Sequence, residues 1–472
     1  MMKNMHTVEK IGGTSMSRFG ELMDNILVGK RTGAELYNRI FVVSAYGGIT
    51  NLLLEDKKTG APGIYGLFAA GDSDWELKLV ETRNKMIEYN RSFESLGLDQ
   101  TVADNFVNER MDGIRDSLRN ILKLRTYGHF RPEDYLPATR EFLSAVGEAH
   151  SAFNAVEILR KHDVNAVFID LSGWKESESE TIEENILRHL KGLNFAECMP
   201  IVTGYVKCAD GIMNRFDRGY SEITFSKLAV VTNACEGIIH KEFHLSTGDP
   251  KLMGADRVRT IGHTNFDIAD QLADMAMEAI HPKASKEMER NGISIRVKNA
   301  FDPEHPGTLI SSDYVSPTPR IDMICGRNDI VGIEIFDSEM VGQSGYDHRI
   351  TEILAKHKIS YIAKNTNANT ITHYVSEKNA AALKACLAEL ESSFQNTAKI
   401  QQRKVAIIGV IGSNMKIPGF LAKAAMALSD ANINVLALDQ CMRQVNMQFI
   451  IERDDFQQAQ IALHRKLVEN ID

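Results

Sequence analysis

The stretch Lys10-Ile11-Gly12-Gly13-Thr14-Ser15 follows a short apolar run around Val8. This hexapeptide indicates the fold of the chain more directly than any other segment. The pattern predicts a strand that ends in a Gly-Gly turn, with a helix behind it whose apolar residues are spaced along 19–26. Glycines let backbone N–H groups approach an anion closely, and a helix start directs further donors at it. No Walker A pattern is present. The segment therefore indicates either a phosphate site of another kind or a structural turn, the commoner role of such glycines.

Length, charge and cysteine content limit the class of protein. The 472 residues correspond to about three domains of ordinary size. A net charge of −9 disfavours nucleic acid and anionic membranes as partners, and no apolar run is long enough to span a bilayer. The six cysteines lie far apart with no C-x-x-C pair, and the N-terminus lacks the apolar region of a signal peptide. We therefore expect free thiols and a cytoplasmic location.

Apolar strand-like runs alternate with amphipathic segments over residues 1–310, which we predict to be the catalytic domain. The alternation predicts an α/β fold with an open, mainly parallel sheet and helices on both faces. Ligands in such sheets bind at the carboxyl ends of the strands, where Gly12-Gly13 and Gly47-Gly48 fall. Strands are expected at 39–45, 165–170, 199–203 and 293–297, and helices at 139–161, 179–190 and 221–234.

Residues 55–137 interrupt this alternation. Residues 57–71 are rich in Gly and Lys and predict a loop, and charged helical segments follow at 75–89 and 102–124. We interpret the region as a helical insert whose charges form a solvated face.

A second region begins beyond the Pro- and Gly-containing stretch 303–319. It contains two similar halves, predicted at 326–393 and 404–472, each with the order β-α-β-β-α. The repeat has a period of about 75 residues, and internal repeats of this kind decide how a fold is assigned. We expect two ferredoxin-like α+β units of the type that senses small molecules.

Short motifs follow one another along the chain in a definite order. They are K-I-G-G-T-S at 10–15, V-V-S-A-x-x-G-x-T-N at 42–51, Gly-Glu at 147–148, T-G-Y at 203–205, R-G-x-S-E at 218–222, Asp-Pro at 249–250 and His-Pro at 281–282. With these motifs and the two C-terminal repeats, the chain resembles the aspartate kinases of the amino acid kinase family, whose regulatory units are ACT domains. The resemblance implies that ATP, with Mg²⁺, phosphorylates the β-carboxylate of L-aspartate, the first step toward lysine, threonine, methionine or ectoine.

The resemblance also implies roles for individual residues. Three are implied to be catalytic: Lys10 neutralises the transferring phosphoryl group, Arg218 grips a carboxylate of aspartate, and Glu222 orients Lys10 or the water on Mg²⁺. No direct protein ligand to Mg²⁺ is expected, because the ion would be held by ATP and water. The residues implied to bind aspartate are Ser44, Thr50, Glu148, Tyr205, Arg218 and Ser221. Those implied to bind the nucleotide are Lys10, Gly12, Gly13, Thr14, Ser15, Gly219, Thr247, Asp249 and Lys251.

These residues have ordinary structural explanations as well. Glu148 and Glu222 are expected in the first turns of helices, where an acid suits the helix dipole in any protein. Arg218 could form a surface ion pair, and His281 beside Pro282 is interpreted as structural. Ser44 and Thr50 taken singly could be loop caps.

The chain departs from the family pattern near the nucleotide base. The family's T-D-V-x-G-[VI] segment is His-Lys-Glu-Phe-His-Leu at 240–245, the arginine after Asp-Pro is Lys251, and a family nucleotide lysine is Glu278. The residues with which the family contacts adenine and ribose are therefore replaced here, and the sequence leaves open how the base is bound, while the phosphate end matches the family. The same combination, including the helical insert, is similar to that of the aspartate kinases associated with ectoine biosynthesis.

The regulatory half departs too. Lysine-inhibited relatives place carboxylates at positions that fall on Ile362 and Ala368 here, and a buried ammonium without a partner is costly. An effector cleft is still expected, because its residues are retained: Met340, Val341, Gly345 and Tyr346. Paired ACT units also imply a homodimer or a larger homo-oligomer.

Two other functions stay open on the sequence. One is another acid or carbamate kinase of the same superfamily, against which the ACT pair and the motif at 218–221 argue. The other is a non-catalytic amino-acid sensor that kept the fold, against which Lys10, Arg218 and Glu222 argue.

Overall fold

The structure is a computed structural model that describes residues 5–216, 219–275, 277, 280–378, 380–394 and 397–469. Two compact units are present. The first comprises Met1–His244 and Ile280–Ser312, and the second comprises Leu245–Ala279 and Asp313–Asp472. Among the helices of the described residues, none is both long and apolar enough to cross a membrane.

A largely parallel sheet forms the centre of the first unit. Neighbouring strands are parallel except for the last pair, which is antiparallel. The predicted α/β class is therefore confirmed. In spatial order the strands of this unit are Ala166–Ile169, Met199–Thr203, Arg39–Val43, Thr7–Ile11, Glu236–Lys241, Ser294–Asn299 and Thr308–Ser311.

The strand Thr7–Ile11 lies in the interior of this sheet, and its two faces are covered differently. Helix Tyr220–Val231 brings Glu222 against Lys10 on one face. The π-helical turn Met23–Leu27 lies on the other face, where it accepts hydrogen bonds from Arg39. Strand Arg39–Val43 is buried throughout, as expected for a parallel strand covered on both sides.

The remaining helical segments of the first unit lie between these strands or in the insert. The α-helices are Gly13–Met16, Phe19–Leu22, Ile49–Leu53, Ile64–Ala70, Trp75–Ser92, Gln100–Arg125, Pro132–Lys161, Ile182–Leu190, Ile212–Phe216, Tyr220–Val231 and Pro282–Arg290, with 3₁₀ turns at Gly33–Leu36 and Glu94–Leu96.

The loop predicted at 57–71 is wrong for its second half, which forms helix Ile64–Ala70. Ile64 and Phe68 are four residues apart, so both point to one side, and both are buried. The Phe68 ring lies edge-on to Trp75, with centroids 5.9 Å apart. Tertiary burial therefore overrides the glycine content that suggested a loop.

Helix Pro132–Lys161 begins earlier than the predicted start at 139. Pro132 occupies the first turn, where its missing N–H costs nothing, and the Asp134 side chain accepts from the backbone N–H of Arg131. The helix then continues through Pro137 to Lys161 without a break. One helix therefore joins the predicted insert to the sheet region.

The second unit is built around an antiparallel sheet. Four-residue spacing of apolar positions forms helices on one of its faces, as in the hydrophobic cluster of Ile350, Ile353 and Leu354 with Ile333 and Ile335. The strands in spatial order are Tyr361–Thr366, Thr370–Ser376, Arg320–Phe336, Lys399–Ser413, Asn446–Glu452 and Val435–Gln440. The α-helices of this unit are Pro250–Met253, Phe266–Asp274, Tyr346–Lys356, Ala380–Phe394, Phe420–Asp430 and Phe456–His464, with a short strand at His263–Asn265, 3₁₀ turns at Ser338–Met340 and Arg453–Asp455 and a π turn at Arg465–Glu469.

The predicted β-α-β-β-α order is confirmed in both halves of this unit. The two longest strands, Arg320–Phe336 and Lys399–Ser413, pair antiparallel at the centre and join the halves into one sheet. Ala406 and Ile408 face the helices, whereas Val405 and Ile407 pack in a second cluster with helix Phe266–Asp274. The sheet is therefore buried on both faces around residues 405–411, whereas residues 401–404 are exposed.

Candidate functional site

Lys10 and Glu222 meet near the carboxyl end of the central strand. Lys10 Nζ lies 3.4 Å from Glu222 Oε1, and the two side chains are only 11% and 13% exposed. Lys241 Nζ lies 3.8 Å from the same oxygen, and the backbone N–H of His281 donates to the other oxygen. Burial acts to raise the pKa of Glu222, but Lys10, Lys241 and the His281 N–H outweigh it, so the pKa is lowered. Glu222 is therefore a carboxylate that holds Lys10 in place.

The Gly12-Gly13 turn follows directly, and its two glycines have different surroundings. A Cβ added to Gly13 would lie 2.3 Å from the carbonyl oxygen of Ala45, so the close approach of the two backbones requires glycine. A Cβ added to Gly12 would meet no atom within 4 Å. Packing thus explains Gly13, whereas the open side of Gly12 leaves room for a ligand.

The turn leads into helix Gly13–Met16, whose first N–H groups are donors without helical acceptors. Thr14 is exposed at this helix start. Ser15 is buried, and its hydroxyl donates to Glu242 Oε1 at 3.0 Å. The predicted phosphate turn is therefore tied to the segment just beyond strand Glu236–Lys241.

A buried ion triad occupies the opposite face of the central strand. Arg39 Nε donates to Glu9 Oε1 at 2.7 Å and Arg39 Nη2 to Glu9 Oε2 at 3.1 Å. His240 Nε2 lies 2.7 Å from Glu9 Oε2. Burial acts to raise the pKa of Glu9, but the charge of Arg39 and the hydrogen bond and charge of His240 hold it well below its usual range. Burial lowers the pKa of His240. The triad links three strands and has no opening to a ligand.

Glu148 is a buried acid of a different kind. It is 3% exposed, and its Oε2 has no hydrogen-bond partner among the described residues. Burial raises its pKa well above the usual value, against the opposing effects of Lys10, the backbone N–H of Tyr205 and the hydroxyl of Tyr220. The expectation of a first-turn position is wrong, because Glu148 lies in the interior of helix Pro132–Lys161. The helix dipole does not explain this carboxyl.

The remaining predicted aspartate-site residues lie on the neighbouring turns. Ser44 Oγ lies 3.4 Å from Ser221 Oγ, at the end of strand Arg39–Val43 and the start of the helix that carries Glu222. Thr50 is half-buried on helix Ile49–Leu53. Gly219 precedes the helix of Ser221, and a Cβ added there would lie 2.6 Å from Cδ2 of the His281 ring. A Cβ on Gly204, in the T-G-Y turn, would lie 3.0 Å from Glu148 Oε1.

Tyr205 connects this region to a cavity of about 460 Å³. Its hydroxyl donates to Glu141 Oε2 at 2.8 Å, and its ring lies 5.8 Å from that of Tyr220. Glu141 Oε1 accepts from the backbone N–H groups of Met213 and Asn214 at 2.8 and 3.1 Å. Burial and the neighbouring Glu141 raise the pKa of Tyr205, so the phenol stays protonated.

Other predicted residues lie in the second unit or outside the described residues. Thr247, Asp249 and Lys251 belong to the second unit. Thr247 Oγ1 lies 3.0 Å from His464 Nε2, and Asp249 caps helix Pro250–Met253 by accepting from the N–H of Lys251. Arg218 and Glu278 lie outside the described residues.

The predicted effector residues lie around one helix start in the second unit. Gly345 has a φ of 78° and precedes helix Tyr346–Lys356, a conformation that favours glycine. The Tyr346 hydroxyl donates to Asp337 Oδ2 at 2.7 Å. Met340 is buried and Val341 is exposed.

Sequence reasoning missed Lys241 and Glu141. Lys241 fell in the segment that was interpreted only as a loss of family contacts. Glu141 lies seven residues before Glu148, two helical turns away on one face, and this spacing was an available signal. Within the described ranges, no group of three or more His, Cys, Asp or Glu side chains is placed to hold a metal ion.

Comparison with known sequences gives two family matches. Residues 5–299 match the amino acid kinase family, and residues 408–467 match the ACT domain. The aspartate kinase Ask_Ect of Stutzerimonas stutzeri is 48% identical over 467 residues, which cover 98% of each chain.

Solved structures share the fold. The aspartokinase III of E. coli in complex with aspartate and ADP, in its R-state, superposes with a TM-score of 0.72 at 22% identity, covering 98% of this chain and 99% of the other. The same enzyme in complex with lysine and aspartate, in its T-state, gives a TM-score of 0.70 at 21% identity, with the same coverage.

Proposed function

This chain belongs to the amino acid kinase family, and from that premise we propose that it is an aspartate kinase, which transfers the γ-phosphoryl group of ATP to the β-carboxylate of L-aspartate to give 4-phospho-L-aspartate. The acceptor carboxylate is ionised at neutral pH, so the reaction needs no strong base. What it needs is two anions held together and the transition-state charge neutralised.

The phosphate end of the site consists of Lys10, Glu222 and the Gly12 turn. Glu222 holds the Lys10 ammonium at 3.4 Å in a nearly dry position, where a positive charge acts more strongly than in water. The open side of Gly12 leaves room for phosphate oxygens, and the backbone N–H groups that follow it donate hydrogen bonds to them. Thr14 and Ser15 flank this turn, and Gly219 lies beside Ser221 on the acceptor side.

Glu148 is the group that recognises the amino acid. Its Oε2 is buried without a partner, and the α-ammonium of aspartate is a cation that would satisfy it. Ser44, Thr50 and Ser221 supply hydroxyls for the carboxylates, with Arg218 as the bidentate cation. Tyr205 shapes the pocket, because its hydroxyl is committed to Glu141.

Mg²⁺ is proposed to reach the site on the nucleotide. The described residues offer no cluster of three metal-ligating side chains, which suits an ion held by phosphate oxygens and water. Bound there, the ion would neutralise part of the phosphate charge. For the nucleotide, Thr247, Asp249 and Lys251 remain proposed ligands.

The observation that carries this assignment is the Lys10–Glu222 pair beside the open Gly12 turn. The test is an assay with purified protein, ATP and Mg²⁺ in which hydroxylamine traps the acyl phosphate. We expect hydroxamate with aspartate and little with glutamate. Equal turnover of glutamate, or none of either substrate, would overturn the proposal.

The ACT region is proposed to bind an effector other than lysine, at Met340, Val341, Gly345 and Tyr346. Ile362 and Ala368 offer no carboxylate, so an effector without a second ammonium, such as threonine, fits better. Dose–response curves of initial rate against lysine, threonine and both together test this. Sub-millimolar inhibition by lysine alone would contradict it and would point to Asp337 or Glu339 as the acceptor of the amine.

The assembly and the pathway complete the proposal. Pairing of ACT units between chains would give a homodimer or larger, which light scattering measures. The likeness to Ask_Ect supports a place among the aspartate kinases associated with ectoine biosynthesis.

A further inference from the structure

Lys241 reverses the charge that the family pattern predicts at its position. Residues 240–245 replace the T-D-V-x-G-[VI] segment, and Lys241 stands where that pattern has aspartate. An acid at this point would repel phosphate, whereas an ammonium group attracts it. The departure is thus a gain of positive charge as well as a loss of base contacts.

Strand register places Lys241 on the same face of the sheet as Lys10. Lys10 pairs with Ile239 in the parallel ladder, and side chains two residues apart point to the same face. His240 points the other way, toward Glu9, as this register requires. Lys241 therefore lies one two-residue step, about 6–7 Å, nearer the carboxyl edge where ligands bind.

The charges around Glu222 are unequal. Two ammonium groups lie 3.4 and 3.8 Å from one carboxylate oxygen, so the three side chains carry a net positive charge. The Lys241 side chain is 30% exposed and that of Lys10 is 11% exposed, so Lys241 is the outer cation. The adjacent Glu242 fixes the segment to the phosphate turn through Ser15.

We propose that Lys241 binds the polyphosphate of the nucleoside triphosphate as a second cation beside Lys10. A lysine suits this place, because its flexible stem presents a point charge to mobile phosphate oxygens. The inference rests on the proposed kinase function and identifies a substrate-binding residue within it.

The test is calorimetric binding of Mg-ATP, without aspartate, to the wild type, Lys241→Met, Lys241→Arg and Lys227→Met. Lys227 is the matched control, because it is half-buried and paired with two carboxylates, Glu183 and Glu287, away from the phosphate turn. We expect Lys241→Met to weaken ATP binding about tenfold or more, since it loses a charge-assisted contact. Lys241→Arg should stay within about threefold of the wild type, and Lys227→Met should not change.

Steady-state kinetics on the same proteins separate the substrates. Lys241→Met should raise the KM for ATP and leave the KM for aspartate unchanged. Unaltered ATP affinity in Lys241→Met would overturn the proposal, as would a variant that only unfolds more easily, since Lys241 would then merely support Glu222. If the methionine variant does not fold, Lys241→Gln is judged by the same criteria.

The binding measurement also distinguishes the two proposals. A wild type that binds ATP but phosphorylates no aspartate would refute the proposed function while the Lys241 variants still decide the second cation. A wild type that binds no adenine nucleotide would refute both.

Discussion

Glu9 and Lys10 are neighbours on one strand, yet the two faces that they occupy use charge in opposite ways. On the Glu9 face, Arg39 and His240 satisfy both carboxylate oxygens at 2.7 to 3.1 Å. On the Lys10 face, the ammonium groups of Lys10 and Lys241 lie 3.4 and 3.8 Å from one oxygen of Glu222, so that two cations share one carboxylate.

Two adjacent residues of one strand therefore have different roles: Glu9 contributes to the stability of the fold, and Lys10 contributes to the chemistry of the site. A buried pair that is geometrically complete resists change and attracts no ligand. A cluster in which two cations share one carboxylate lowers the stability of the ligand-free protein and favours the binding of an anion. Because side chains alternate along a strand, the same five residues Thr7–Ile11 build both.

Breaking the Glu9 face should have the largest effect on folding. Arg39→Met leaves the Glu9 carboxylate buried without its cation, with hydrogen bonds only from neutral groups such as Thr7 and His240, and we expect a loss of about 3–5 kcal/mol in the free energy of unfolding. Urea unfolding followed by circular dichroism measures it. The control is Lys30→Met, whose partner Glu304 is also exposed and for which about 0–1 kcal/mol is expected. Equal losses in the two variants would contradict the structural role of the triad.

Breaking the Lys10 face should affect catalysis instead. Lys10→Ala removes a charge that acts mainly in the transition state, so kcat should fall by about 10²–10³-fold. The urea midpoint should stay close to that of the wild type, because Lys241 and the His281 N–H still contact Glu222 when Lys10 is removed. The hydroxylamine assay measures the rate. A near-normal kcat would remove Lys10 from the catalytic machinery.

The two glycines after strand Thr7–Ile11 also differ in their expected roles, one in stability and the other in ligand binding. Gly13→Ala places a methyl group against the Ala45 carbonyl and should destabilise the fold by about 1–3 kcal/mol. Gly12→Ala meets no protein atom, so stability should be unchanged while the KM for ATP rises. Thermal unfolding and ATP titration of both variants provide the measurement. A stable Gly12→Ala protein with an unaltered KM would mean that phosphate does not approach that side.

Glu148 differs from Glu9, because its buried Oε2 has no hydrogen-bond partner among the described residues. Glu148→Gln should raise the KM for aspartate about tenfold, since a charge-assisted contact to the ammonium is lost. Kinetics at varied aspartate, with ATP saturating, measure this change. If only the KM for ATP moved, Glu148 would belong to the nucleotide site.

The pH dependence of the same variant follows from the raised pKa of Glu148. The folded state favours the protonated form, so this group's contribution to stability is unimpaired below the unfolded-state pKa and is lost as pH rises through the folded-state pKa. The side chain in Glu148→Gln does not ionise, so the variant does not lose stability in this way as the pH rises. The stability of the ligand-free variant relative to the wild type should therefore increase as the pH rises above the unfolded-state pKa of a glutamate, until the folded-state pKa is passed. A constant difference would contradict the assignment.

Much of the fold could be predicted from the sequence, because local sequence patterns encode it. The strand and turn at 7–16 follow from an apolar run and two glycines, and the β-α-β-β-α repeat follows from periodicity. Strand Glu236–Lys241 was not predicted, since only two of its side chains, those of Ile238 and Ile239, are aliphatic and it ends in the atypical segment. Helix Ile64–Ala70 was missed because Phe68 is buried against rings outside the helix, those of Trp75 and of Tyr135, which is 67 positions away.

Less of the candidate site could be predicted from the sequence. Motif order pointed to Lys10 and Glu222, which are 212 positions apart, and the fold brings them into contact. Neither the missing partner of Glu148 Oε2 nor the second cation at Lys241 could be inferred, because both depend on which side chains meet in three dimensions. The assigned roles in binding and catalysis stay predictions until the variants are measured.

The position of the first strand has a consequence for synthesis on the ribosome. Arg39 lies 30 positions after Glu9 in the chain, and His240 lies 231 positions after it. At about 5–20 residues per second, the interval between the synthesis of Glu9 and that of His240 is roughly 10–50 seconds. Through that time one edge of the strand has no neighbour. The nascent chain therefore carries an open β-edge that only the arrival of residues 236–241 can close.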